Sequence, residues 1–291
     1  MEDIVFIKEY RNNNQLRKSF NDLAFQTFGI NFEKWYEAGY WTDKYIPFSF
    51  VSQNKVIANV SVNLIDLVIN NQIIKGIQIG TVMTHPEYRN KGLSRKLMNM
   101  VMETYESTYD MMYLFANKTV LDFYPKFGFN ILQETQYELE FIPLTKNVGA
   151  LQKLNVESVI DRQFIYDFAK DRIPTSREFG AVNTKELLQF YCLYAFPNDI
   201  YYLPEQDIII IFQATKGCIH IFDIISKKEV NLQNILESIT PEQKKIFFHF
   251  TVDRQNHVEK GIYHGDEVLF VRFKKEIVLP EHFKHPITSQ A

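Results

Sequence analysis

The chain has 291 residues with 32 basic and 35 acidic side chains, a formal charge of −3, so no nucleic-acid surface is expected. Its apolar runs fall far short of a membrane span and Met1-Glu2-Asp3 is no signal-peptide start, so a cytoplasmic protein without membrane contact is expected. Cys192 and Cys218, the only cysteines, give no disulfide framework and no metal-ligand spacing, and both read as buried, inert thiols.

The length suggests two domains, and 25 Phe and 16 Tyr can fill sizeable cores. Residues 4–10 read as a first strand. A helix follows over 13–28, with Leu16, Phe20, Leu23, Ala24 and Thr27 on one side and Gly29 as its stop. Asn31 caps a shorter helix that contains Trp35 and Tyr36 and ends at Gly39. Strands over 45–52, 56–69 and 73–84 are joined by turns at Gln53-Asn54 and Asn70-Asn71. Asp66 sits in the second of these strands. It is a candidate base or amine-binding group if that strand faces a cleft.

The segment 80–98 is a strand end, a short basic loop and a helix start. Leu97, Met100, Val101 and Tyr105 form the apolar face of a helix that begins near Leu93. A loop opening into a helix presents free backbone N–H groups and positive dipole potential, which suits phosphate. Arg89, Lys91, Arg95 and Lys96 crowd this helix start, where cations oppose the dipole and a bound polyanion would account for them. Gly92 allows close approach of a ligand to the backbone.

Residues 111–116 read as a buried strand, followed by Asn117. A short helix over 119–126 then leads into Phe127-Gly128-Phe129. After a linker at 144–149 come helices over 161–172 and 184–196. A hairpin of 208–214 and 218–225, a helix over 229–239 and strands over 245–252 and 268–273 complete the chain.

The loop Arg89-x-x-Gly92-x-Ser94 resembles the acetyl-CoA loop of the GNAT acyl-CoA N-acyltransferase superfamily, whose pattern is Arg/Gln-x-x-Gly-x-Gly/Ala. Ser94 departs at the last position but is small and keeps its N–H. A second match is Tyr124 before Phe127-Gly128-Phe129, with Asn117 upstream. The resemblance implies an α/β (α+β) GNAT fold, a mixed and mostly antiparallel sheet flanked by helices, over residues 1–145. It implies acetyl-CoA as co-substrate, held by Val82, Met83, Thr84, Arg89, Asn90, Lys91, Gly92, Leu93, Ser94 and Arg95 with a side-chain contact from Asn117. Tyr124 would give the proton to the departing thiolate.

Residues 150–291 repeat a shortened version of the same element order, but no Gly loop follows the second hairpin. A degenerate GNAT-like or other α+β domain without its own CoA site is expected there. Two such halves resemble the first two domains of the "enhanced intracellular survival" type of acetyltransferase. In those proteins a third domain follows and the C-terminal carboxylate reaches the active site. This chain is short for a third domain, so that role is not assigned to Ala291.

The expected activity is N-acetyl transfer from acetyl-CoA to a primary amine of a small molecule or peptide, by direct attack in a ternary complex. The alternative is a non-catalytic acyl-CoA-binding sensor or scaffold, which has no use for Tyr124 as a proton donor. A tandem-GNAT aminoacyltransferase using transfer RNA fits poorly with the intact loop and the acidic charge. Phe32, Trp35, Tyr36 and Trp41 fall in the segment that borders the acceptor pocket in the GNAT folds this chain resembles, with core packing as the other reading. Two of them lining it would favour an amine with an apolar or cationic body.

Overall fold

The structure, a computed structural model, describes residues 3–144, 149–253 and 257–291. Residues 145–148 of the expected linker lie outside the described residues. The elements in order are β1 (Val5–Lys8), α1 (Asn14–Phe28), α2 (Glu33–Glu37), β2 (Tyr45–Ser52), β3 (Lys55–Ile69) and β4 (Gln72–Thr84). Then come α3 (Leu93–Tyr105), β5 (Met111–Asn117), β6 (Asn130–Leu132), β7 (Thr135–Phe141) and β8 (Gln152–Lys153). The second half holds α4 (Val159–Lys170), β9 (Phe179–Val182), α5 (Lys185–Tyr194), β10 (Ile200–Leu203), β11 (Ile208–Ala214) and β12 (Cys218–Ser226). It ends with α6 (Leu232–Ile239), β13 (Lys244–Phe248), β14 (Glu259–Ile262) and β15 (Glu267–Phe273). Among the described residues, no helix is long and apolar enough to cross a membrane.

Local chemistry sets the boundaries. The Asn13 side chain accepts a hydrogen bond from the Leu16 N–H at 3.1 Å, and Gly29 ends α1 in the left-handed conformation, φ 72°. Gln53-Asn54 and Asn70-Asn71 all have positive φ, the geometry that tight hairpin turns need for strands of right-handed twist. The expected helix over 119–126 is instead two 3₁₀ turns, Lys118–Val120 and Tyr124–Phe127, with Pro125 in the second. Proline there lacks the N–H of a continuing helix.

Two sheets form. The first has the order β1-β2-β3-β4-β5-β15-β6, with β9 pairing β3 beyond the end of β2; the second has the order β14-β7-β13-β12-β11-β10-β8. In the first, β4 and β5 run parallel, and β15 is antiparallel to β5. In the second, β12 and β13 run parallel, and β7 is antiparallel to β13. The antiparallel trio β10-β11-β12 thus repeats the arrangement of β2-β3-β4. The sheets do not divide the chain at 145–150, however. β7 from before the boundary lies in the second sheet, while β9 and β15 from beyond it lie in the first. The gap between β5 and β6 is filled by β15, whose Leu269, Phe270 and Val271 are all buried.

One core packs α3 on the first sheet through Leu97, Met98 and Val101. On the opposite face α1 and α2 bury Phe20, Trp35 and Trp41. Buried apolar area is the main force holding these layers, at roughly 25 cal/mol per Å².

Candidate active site

Parallel pairing of β4 with β5 runs from Gly76 with Met111 to Ile79 with Leu114, and then the strands part. A cavity of about 700 Å³ opens between them. Its β4 wall carries a bulge. Ser61 faces Gly80 and Asn59 faces Met83, so Thr81 and Val82 together stand opposite Val60. Thr81 has φ 49°, an outlier for a β-branched residue, and two contacts hold it. Its Oγ1 lies 2.5 Å from the Tyr45 hydroxyl, and its carbonyl accepts from Asn59 Nδ2 at 2.9 Å. Asn59 is in turn fixed by Ser49 and Ser61, all fully buried. The bulge takes two residues out of the ladder register, and both Thr81 and Val82 line the cavity.

Above this wall α3 begins. Gly92 is its N-cap at φ 74° and offers no side-chain cap, so the first helical N–H groups stay open. A Cβ on Gly92 would meet nothing within 4 Å, and the space over the helix start is free for an anion. Arg89 lines the cavity with Nε 3.4 Å from the Thr84 carbonyl oxygen. The Thr84 and Ser94 hydroxyls are 2.7 Å apart and tie the strand end to the helix start. Lys91 lies over the Tyr88 ring at 4.6 Å, whereas Arg95 and Lys96 are exposed. These features fit a phosphate-bearing cofactor such as CoA.

Across the cavity stand Asn117, at the end of β5, and Tyr124. Asn117 Oδ1 accepts from the Thr119 N–H at 2.9 Å, which uses its oxygen and leaves its amide nitrogen for other contacts. Tyr124 is buried against Phe123, Phe129 and Phe270. Burial, and then the negative charge of Glu267, push its phenol up to about 12, so the hydroxyl is neutral at physiological pH.

The structure therefore brings together around one cavity Val82, Met83, Thr84, Arg89, Asn117 and Tyr124. Asn90, Lys91, Gly92, Ser94 and Arg95 stand at the helix start and do not line it. The Leu93 side chain is buried in the core, which leaves only its backbone to a ligand. Asp66 is not brought to the cavity. It lies farther back on β3, where Lys75 Nζ at 2.7 Å and Asn183 Nδ2 at 2.7 Å hold its carboxylate. Of the four aromatics, Phe32 and Trp35 line the cavity. Trp41 is core, and Tyr36 stacks under the Arg17 guanidinium at 3.7 Å.

Two cavity features escape the sequence reading. Glu267, the first residue of β15, lines the cavity opposite Asn117. Ala291 also reaches it. Its backbone oxygen accepts from Gln78 Nε2 at 3.3 Å and would lie 2.8 Å from a Cβ on Gly80, so glycine there permits the approach. Among the thiols, Cys192 is buried as expected, but Cys218 is half-exposed, within 3.0 Å of the Thr215 hydroxyl.

The fold is that of the GNAT acyltransferases. Residues 13–132 match the family model described as an acetyltransferase (GNAT) domain. Solved structures of similar fold include a conserved protein from Enterococcus faecalis V583 described as a probable N-acyltransferase. It is 13% identical with a TM-score of 0.63, over 94% of this chain and 73% of that one. Eis1 from Mycobacterium abscessus is 13% identical with a TM-score of 0.61, over 94% and 74%. A putative acetyltransferase from Pyrococcus horikoshii is 10% identical with a TM-score of 0.52, over 100% and 97%. At such identities the likeness is one of fold. No curated protein matches the sequence.

Proposed function

We propose that the protein transfers an acetyl group from acetyl-CoA to a primary amine, by direct attack in a ternary complex. The observation that carries this reading is the parted β4–β5 cleft, which holds the bulged strand, the uncapped helix start with Arg89, and Tyr124 around one space. The CoA pyrophosphate would lie on the N–H groups from Gly92 to Arg95, next to Arg89. Bound acetyl-CoA supplies an activated acyl carbonyl. The Val82–Thr84 edge, no longer paired with β5, offers backbone N–H groups where negative charge develops on that carbonyl oxygen. Tyr124, kept neutral, gives its proton to the leaving sulfur. No covalent enzyme intermediate is needed.

The acceptor side is walled by Phe28, Phe32, Trp35, Phe190 and Tyr191. These walls suit an amine on an apolar body. The test is release of free thiol from acetyl-CoA across arylalkylamines, alkylamines, polyamines, aminoglycosides, amino acids and peptides. Turnover with apolar-bodied primary amines is expected. CoA binding without thiol release for any amine would instead favour the binding-module reading.

A further inference from the structure

Resting on the acetyltransferase reading, we propose that Glu267 is the acceptor-side carboxylate, which binds the ammonium of the incoming amine and takes its proton. Three observations carry this. Among the described residues that line the cavity, Arg89 and Glu267 are the only charged side chains, one of each sign. Arg89 stands at the helix start and Glu267 opposite Asn117, at the cleft end of the neighbouring strand. Among the described residues, the Glu267 carboxylate has no ion pair or hydrogen bond of its own, unlike Asp66, which Lys75 and Asn183 hold.

The groups around it leave it poised to accept a proton. Tyr124 in the 3₁₀ turn, Tyr191 on α5 and Tyr263 after β14 lie close enough to feel its charge, and all three phenols are raised, by burial first and by Glu267 least. Asp266 precedes it, and Glu134 approaches from between β6 and β7, itself paired with Lys284. Glu267 is exposed at the cavity edge, and partial burial, then the charges of Asp266 and Glu134, raise its carboxyl from the ordinary value. A base is more effective when its proton affinity nears that of the operating pH.

The proton account closes. Glu267 takes one proton from the alkylammonium, and the C–N bond forms as the C–S bond breaks. Tyr124 protonates the sulfur and recovers the second proton that leaves the nitrogen, and Glu267 returns its own to water. One ammonium and one thioester give one amide, one thiol and one proton.

The position is unusual in that β15 comes from the second half of the sequence, so that half completes the site of the first. The experiment compares the full-length wild type with Glu267→Gln and Glu267→Asp, using phenethylamine and acetyl-CoA. For Glu267→Gln, kcat/KM at pH 7 should fall by about 10²–10⁴-fold and recover as pH approaches that of the free amine. Its calorimetric affinity for CoA should be unchanged, and Glu267→Asp should keep part of the rate. A wild-type rate and pH profile in Glu267→Gln overturns the proposal while the acetyltransferase reading stands. A wild type that releases no thiol with any amine of the panel overturns both.

Discussion

The Thr81 Oγ1 lies 2.5 Å from the Tyr45 hydroxyl, across the mouth of the β4 bulge. That contact holds a β-branched residue at φ 49°, a conformation that typically costs about 1–3 kcal/mol. The Asn59 amide shares the load. Backbone strain is thus maintained where the cleft opens, by groups from two neighbouring strands. Tyr45→Phe removes the hydroxyl and keeps the ring. Thermal unfolding should show a loss of about 1 kcal/mol. The rate of thiol release should fall more than stability does, since the bulge sets the cavity wall. A stability loss with full activity would separate the bulge from the chemistry.

Gly92→Asp places a carboxylate in the open space above α3 and strains a left-handed position. Calorimetry should show loss of CoA binding, with destabilisation of about 1 kcal/mol. Unchanged affinity would remove the phosphate assignment from this helix start.

The segment that ends at Ala291 is anchored at depth. Asp223 is buried and binds Arg172 at 2.6 and 2.8 Å, and it accepts from Thr288 at 2.6 Å. Burial by itself would raise the Asp223 carboxyl. The Arg172 charge and the hydrogen bonds from Arg172, Thr288 and Thr175 outweigh it, and the net shift is downward. A carboxyl lowered in the folded state contributes stability fully above its unfolded value, about 3.9, and loses it as pH falls below that. Asp223→Ala leaves a buried guanidinium without its partner and should cost about 3–5 kcal/mol at pH 7 by urea denaturation. The gap between wild type and variant should narrow toward pH 2. A constant gap would contradict the linkage.

How much of this was legible in the sequence follows from the range of each interaction. Gly29, Gly92, Asn13 and the paired Gln53-Asn54 and Asn70-Asn71 act within a few residues, and the elements they delimit were readable. Tyr124 and Arg89, which line the cavity, each stand in a short motif. The crossing of β15 into the first sheet was not readable. Leu269, Phe270 and Val271 mark a buried strand without naming its partner, because pairing to Met111–Asn117 is set by distant residues. Glu267 was missed for the same reason. An acidic pair, Asp266-Glu267, at the start of a strongly apolar strand was its one signal. Asp66 lies on a strand as expected, but its cross-strand Lys75 and the distant Asn183 satisfy it away from the cleft. The short strands β8, β9, β10 and β14 left too little periodicity to read.

The most direct test of the central claim, that this cavity performs acyl transfer with Tyr124 as proton donor, is Tyr124→Phe with kcat and CoA affinity measured side by side. The substitution removes only a neutral hydroxyl from a buried ring. The expected result is a fall in kcat of about 10²–10⁴-fold with CoA affinity nearly unchanged, as for a contact made in the transition state. A near wild-type kcat with weakened CoA binding would contradict the account and leave Tyr124 as a packing residue beside the cofactor.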